Sequence, residues 1–170
     1  MNKMRGFTIV ELLIVIVVVA ILATISVVAY NGIQIRAKNA KTVNAAVAWV
    51  KILKLYNADK GSWPTSASCL GTLTTYEGNS GLCWPTAGWV VNSTFLSQIQ
   101  PYTSNYPEPD TTDIATDTNS PRRGLMYNTN LRIYLFQAGP VAASCPDIGL
   151  KVYSGPSAFP NGYQCLYDLV

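Results

Sequence analysis

The 170 residues suffice for one domain with a modest core. The formal charge of +3 is too small to argue for a nucleic-acid or acidic partner by itself. Histidine is absent, which excludes Ser-His-Asp and Cys-His catalysis and histidine-based zinc sites.

The chain opens with a short basic stretch, Met1 to Gly6, and an apolar run follows. Leu12 to Ala29 carries no charge and is broken only by Thr24 and Ser26. As a helix, Phe7 to Tyr30 spans roughly 35 Å, enough to cross a bilayer. A lone strand in lipid would leave its backbone groups unpaired, so the β-branched residues do not argue for a strand. No small-residue cleavage site of the secretory type follows the run, so the run is expected to stay on the protein. Basic residues flank both ends (Lys3 and Arg5 before, Arg36, Lys38 and Lys41 after), and charge alone does not orient the segment. Glu11 stands inside the apolar stretch. A carboxylate there needs a partner or must lie at the headgroup level, solvated.

The run Gly6 to Ile16, G-F-T-I-V-E-L-L-I-V-I, resembles the class III signal of type IV pilins, pseudopilins and competence pilins. The resemblance covers residues 5 to about 31. It implies cleavage after Gly6 by a prepilin peptidase, methylation of the new N-terminal Phe7, and no catalytic function of the chain's own. It also implies pairing of Glu11 with the N-terminal amine of a neighbouring subunit. That pairing is physically coherent, because an ammonium and a carboxylate are each costly in a low-dielectric setting and offset one another when paired. Many members of the family have a proline at the position of Val28 and a glycine at that of Ala20. Here Gly32 is the strong helix breaker, which leaves local melting near residues 20 to 28 open.

From Gln34 to Lys60 the pattern is amphipathic. Ala40, Val43, Val47, Val50 and Leu53 recur at spacings of three and four, while Lys38, Lys41, Lys51 and Lys54 lie on other faces as a solvated surface. This predicts one long helix from Phe7 to about Asp59. Gly61 and Pro64 end it. The run around Gly61-Ser62-Trp63-Pro64 resembles an element that often follows the long helix in pseudopilins and some pilins.

Residues 65 to 120, rich in Thr, Ser, Asn, Gly and Pro, read as a loop-rich connector with short elements, among them a strand at Trp89 to Val91. Strand-like runs follow at Gly124 to Tyr127, Leu131 to Phe136, Leu150 to Tyr153 and Tyr163 to Leu169. Asn128, Thr129 and Asn130 join the first two as a hairpin. The expected fold class is α+β: a long N-terminal helix, transmembrane in its first half and amphipathic in its second, with an antiparallel β-sheet head. The resemblance calls this the pilin fold. The expected divisions are a leader at 1–6, a transmembrane or filament-core half-helix at 7–33, an amphipathic half at 34–60, and a disulfide-bonded head at 61–170.

Cys69, Cys83, Cys145 and Cys165 have neither zinc-knuckle nor thioredoxin spacing. An even number beyond a membrane segment points to disulfides in an oxidising compartment, which places the C-terminal part outside the membrane. Three pairings exist, and Cys69–Cys83 with Cys145–Cys165 is favoured because each closes a short loop; four buried free thiols are the alternative. Asp110, Asp113 and Asp117, with Glu108, offer hard oxygen ligands for calcium, but they lack the EF-hand pattern, and a solvated loop is the simpler reading. No metal or other cofactor is therefore expected. Arg122 and Arg123, in an S-P-R-R-G turn, could meet DNA phosphates if exposed. Trp49, Trp63, Trp84 and Trp89 are expected in the core rather than on a stacking surface. Asn92-Ser93-Thr94 matches a glycosylation sequon of little weight.

The expected function is a structural subunit of a type IV pilus or related filament, assembled through its apolar helix. Its implied partners are other subunits in a homo-oligomeric filament, the prepilin peptidase, a membrane assembly platform and, before assembly, the lipid bilayer. The precursor is expected as a single-pass protein of the cytoplasmic (inner) membrane, with the assembled form in an extracellular pilus. The alternatives are a pseudopilin of a type II-like secretion system, a minor pilin, or a competence pilin binding DNA. A membrane-anchored enzyme is a further class, and it finds no catalytic motif here.

Overall fold

The computed structural model describes residues 8–77, 80–112 and 122–170. Helix α1 runs from Ile9 to Lys60. The chain divides into two compact units, residues 1–36 and 37–170.

In the first unit, α1 exposes its apolar side chains. Ile9 is 81% exposed, and Leu12, Ile16, Val19 and Leu22 are each more than half exposed. The two hydroxyls of the stretch are satisfied locally: Thr24 Oγ1 donates to the Ile21 carbonyl and Ser26 Oγ to that of Leu22, both at 2.7 Å. The helix passes residues 20–28 without a break.

In the second unit, α1 buries one stripe and a sheet receives it. Ala45, Ala46, Trp49, Val50, Ile52, Leu53 and Tyr56 are buried at spacings of three and four. The helix ends where Gly61 adopts φ +66° and its N–H bonds the Asn57 carbonyl at 2.8 Å, a left-handed cap. Among the described residues seven strands follow: β1 (Ser68–Cys69), β2 (Leu82–Trp84), β3 (Trp89–Val90), β4 (Leu125–Asn128), β5 (Arg132–Ala138), β6 (Lys151–Phe159) and β7 (Gly162–Asp168). A short helix, α2 (Ser93–Ile99), lies between β3 and β4.

Five strands form one antiparallel sheet in the order β1-β4-β5-β7-β6, while β2 and β3 form a separate ribbon. The side-chain period of two sorts the sheet residues onto two faces. Leu125, Tyr127, Ile133, Leu135, Tyr163, Cys165 and Tyr167 join α1 and the α2 residues Phe95 and Ile99 in the larger core. Met126 and Phe136 point the other way, into a smaller core with Cys69, Tyr76, Cys83 and Val91. Both sheet faces are thus covered over β4 and β5.

The α+β expectation holds, and the four longer strands lie where they were expected. Two details differ. The short elements of the connector include α2 and β2 beside the strand expected at Trp89, and β1 adds an edge to the sheet. Strand β6 continues through Gly155 and Pro156 to Phe159, because on this edge strand the register shifts between Ser154 and Ser157 and leaves the proline out of the ladder pairs.

Candidate assembly and processing site

Gly6 and Phe7, where the resemblance implies cleavage and methylation, lie outside the described residues, as do Asp113 and Asp117. The adjoining turn is well defined. The Thr8 backbone N–H and its hydroxyl both donate to Glu11 Oε2 at 2.8 Å, and the Glu11 N–H donates to Thr8 Oγ1 at 3.2 Å. This reciprocal arrangement is a capping box: Thr8 and Glu11 satisfy donors that the first turn of a helix leaves open. The Thr-x-x-Glu spacing ahead of an apolar run carries this signal in the sequence. The carboxylate sought a partner, and here its own helix end supplies one.

Beyond Glu11, α1 is long and apolar enough to cross a membrane, and its most apolar 18-residue window is 0% buried. Such a surface is unstable in water and calls for lipid or other helices.

The cysteines pair as favoured. Cys69 is bonded to Cys83 and Cys145 to Cys165, with Cα separations of 5.7 and 5.8 Å. The first bridge fastens β1 to β2 within the smaller core, and the second ties the segment before β6 to the middle of β7. The tryptophans lie in or against the cores: Trp49 is fully buried with its Nε1 donating to the Pro107 carbonyl at 2.8 Å, while Trp63, Trp84 and Trp89 are partly buried.

Arg122 and Arg123 are not the exposed pair that contact with DNA phosphates requires. Arg123 is buried. The Arg122 guanidinium lies 3.9 Å from the Trp84 ring centroid and 4.2 Å from that of Phe159, and Nη1 donates to Gln164 Oε1 at 3.2 Å. Asp110 sits in a pinned segment, its N–H bonded to Thr42 Oγ1 and its Oδ1 accepting the Thr112 N–H. Among the described residues no group of three or more metal-ligating side chains converges. Asn92 is the N-cap of α2, its Oδ1 accepting the Phe95 N–H at 3.0 Å, which gives the sequon asparagine a structural role.

Several tyrosines are held in their neutral form. Burial pushes Tyr127 up to about 12, and burial likewise raises Tyr76 and Tyr167 above the ordinary value. At the surface, the Tyr102 hydroxyl donating to Asp59 Oδ2, with Lys60 adjacent, lowers the Asp59 carboxyl.

Residues 1–27 match the model of the prokaryotic N-terminal methylation motif. Fimbrial protein EcpC of Eikenella corrodens is 35% identical over 74 residues, 44% of this chain and 48% of that protein. Type II secretion system core protein G of Dickeya chrysanthemi is 35% identical over 72 residues, 42% of this chain and 47% of its own. A fimbrial protein of Neisseria meningitidis serogroup B is 33% identical over 73 residues, 43% of each chain. The chain spans about half the length of the curated relatives it matches. No solved structure matches it. The chain therefore carries the prokaryotic N-terminal methylation motif on an α+β, pilin-like architecture, and over the matched part it is homologous to fimbrial proteins and to type II secretion core protein G.

Proposed function

We propose that the chain is a structural subunit of a type IV pilus or a related filament, and that it performs no catalysis. The observation that carries this reading is the junction of a methylation motif with an apolar helical stretch that the fold leaves unburied. A motif that exposes a new N-terminus directly before an apolar run makes sense where that helix later leaves lipid and packs against its own kind. In this reading the prepilin peptidase cuts behind Gly6, and Phe7 becomes the methylated N-terminus. The new ammonium of one subunit then meets Glu11 of a neighbour, fixing axial register. The Thr8–Glu11 box supports a two-stage role, because it satisfies the carboxylate until a subunit arrives. Leu12, Ile16 and Val19 would line the filament core. The precursor is held in the inner membrane with residues 61–170 outside, a placement supported by the two disulfides.

A second reading is a pseudopilin of a type II-like secretion system, favoured by the likeness to core protein G. It shares the N-terminal steps and differs in abundance and length of assembly, which counting subunits in sheared surface material separates. A competence role through Arg122 and Arg123 is less favoured, because both side chains are engaged by the fold.

The decisive experiment is mass spectrometry of the mature chain from cells with and without prepilin peptidase. A chain beginning at Phe7 with one added methyl, dependent on the peptidase, is expected. A chain retaining Met1 in both strains would reduce the segment to an ordinary anchor.

A further inference from the structure

Charge divides the second unit unequally. Residues 37–60 carry five cations and one anion, and residues 61–170 carry four cations and seven anions. Among the described residues Lys51 makes no ion pair, and Lys54 bonds only the Gly149 carbonyl, at 3.3 Å. The two lysines line an open groove of about 350 Å³ together with Val47, Val50, Ile148 and Asp147. Asp147 is already occupied in part, accepting the Gly149 N–H at 2.8 Å.

The acidic complement is presented elsewhere on the same unit. Trp49 Nε1 holds the Pro107 carbonyl and Thr42 Oγ1 holds the Asp110 N–H, so residues 107–110 are pinned against α1 at both ends. Pro109 is buried between them, while Glu108 is exposed. Glu108 accepts only from the hydroxyls of Thr72 and Thr75, and neither it nor Asp110 pairs with a cation among the described residues. With a helical step of about 100° per residue, Lys51 lies about 180° around α1 from Thr42, and Lys54 about 120°. The acidic segment and the lysine groove therefore face different ways and cannot meet within one chain.

We infer that the Val47–Lys54 groove receives the Glu108–Asp110 segment of a second copy of this chain, an inference that rests on the filament reading. Two complementary patches that face different ways on one body favour a heterologous contact over a two-fold one, and such a contact propagates into an open array where its rotation does not close a ring. The apolar lining accommodates the half-buried Pro107, Pro109 stays in its own head, and Lys51 and Lys54 meet the carboxylates. Exposed ion pairs are individually weak, so this contact sets the register between heads while the apolar helices supply cohesion.

The test uses the full-length chain in cells with a functional prepilin peptidase, with sheared surface filaments quantified. K51E/K54E is expected to lower surface subunits by about tenfold, because like charges then oppose one another. Adding E108K/D110K to the same chain is expected to restore most of the yield. Because reversal could harm folding, a second measurement co-expresses a Lys51→Cys chain with a Glu108→Cys chain. Filaments from the mixture should contain disulfide-linked dimers of the two variants, and filaments from either variant alone should not. Wild-type filaments with an undiminished K51E/K54E yield, or assembled mixed filaments without the cross-link, would overturn the interface and leave the filament reading standing. Absence of wild-type filaments altogether would overturn both.

Discussion

The Tyr76 hydroxyl sits at the centre of the smaller core, where it accepts the Leu125 N–H and reaches the carbonyls of Leu70 and Leu125, all within 3.3 Å. Gly124 makes room for it. Its φ is +65°, and a Cβ there would lie 2.4 Å from Tyr76 Oη. Tyr76→Phe leaves a buried N–H without its partner and should cost about 1–3 kcal/mol in chemical denaturation. Gly124→Ala combines a left-handed backbone with that clash and should cost at least about 2 kcal/mol. Tyr127 offers a titration. Its hydroxyl donates to the Pro64 carbonyl at 2.8 Å, and burial holds its pKa at about 12 in the folded state. The unfolded chain releases that proton near pH 10, so the folded state binds more protons between the two values. The stabilisation is complete below about pH 10 and falls as pH rises toward about 12. Tyr127→Phe should flatten this part of the stability–pH curve, apart from what Tyr76 and Tyr167 contribute. At this scale the sequence is legible unevenly. Thr-x-x-Glu announces a capping box by its spacing, whereas nothing near Gly124 in the chain points to a tyrosine 48 positions earlier.

Among the elements, α1 and the four longer strands announce themselves by period, and the cysteines by their short loops. Strand β1 has two residues and β2 three, too few for alternation to register. Helix α2 has seven, and its signal is its cap, an asparagine that reads equally as a sequon. Gly155-Pro156 has the look of a strand end, and the edge position of β6 together with the irregular register between Ser154 and Ser157 explains its continuation. Arg122 and Arg123 looked like a surface turn because the aromatic rings that receive Arg122 come from positions 84 and 159. The disulfides permit a direct measurement of element stability. Cys145→Ala/Cys165→Ala should lower the stability of the head by about 3 kcal/mol, and Cys69→Ala/Cys83→Ala by a similar amount, in denaturant titrations under oxidising conditions. Under reducing conditions each difference should shrink.

For the whole molecule, the apolar half of α1 dominates behaviour in extracts. The chain should sediment with membranes, resist extraction by high salt and alkaline carbonate, and enter solution only with detergent. Release by salt alone would mean that charge, not the apolar surface, holds it there. The division into a unit with little internal packing and one with a double core follows from composition, since residues 12–29 carry no charge and the polar residues cluster later.

The two bridges lie wholly within residues 61–170, and neither fastens α1 to the sheet. Tension drawn along the chain would therefore load the noncovalent seam between helix and sheet, with no covalent strut across it. Once that seam yields, each bridge withholds the backbone it encloses from extension. With sequence separations of 14 and 20, the hidden slack amounts to about 110 Å of fully extended chain. A single subunit stretched between a surface and a probe should lengthen by that much more after reduction than before it.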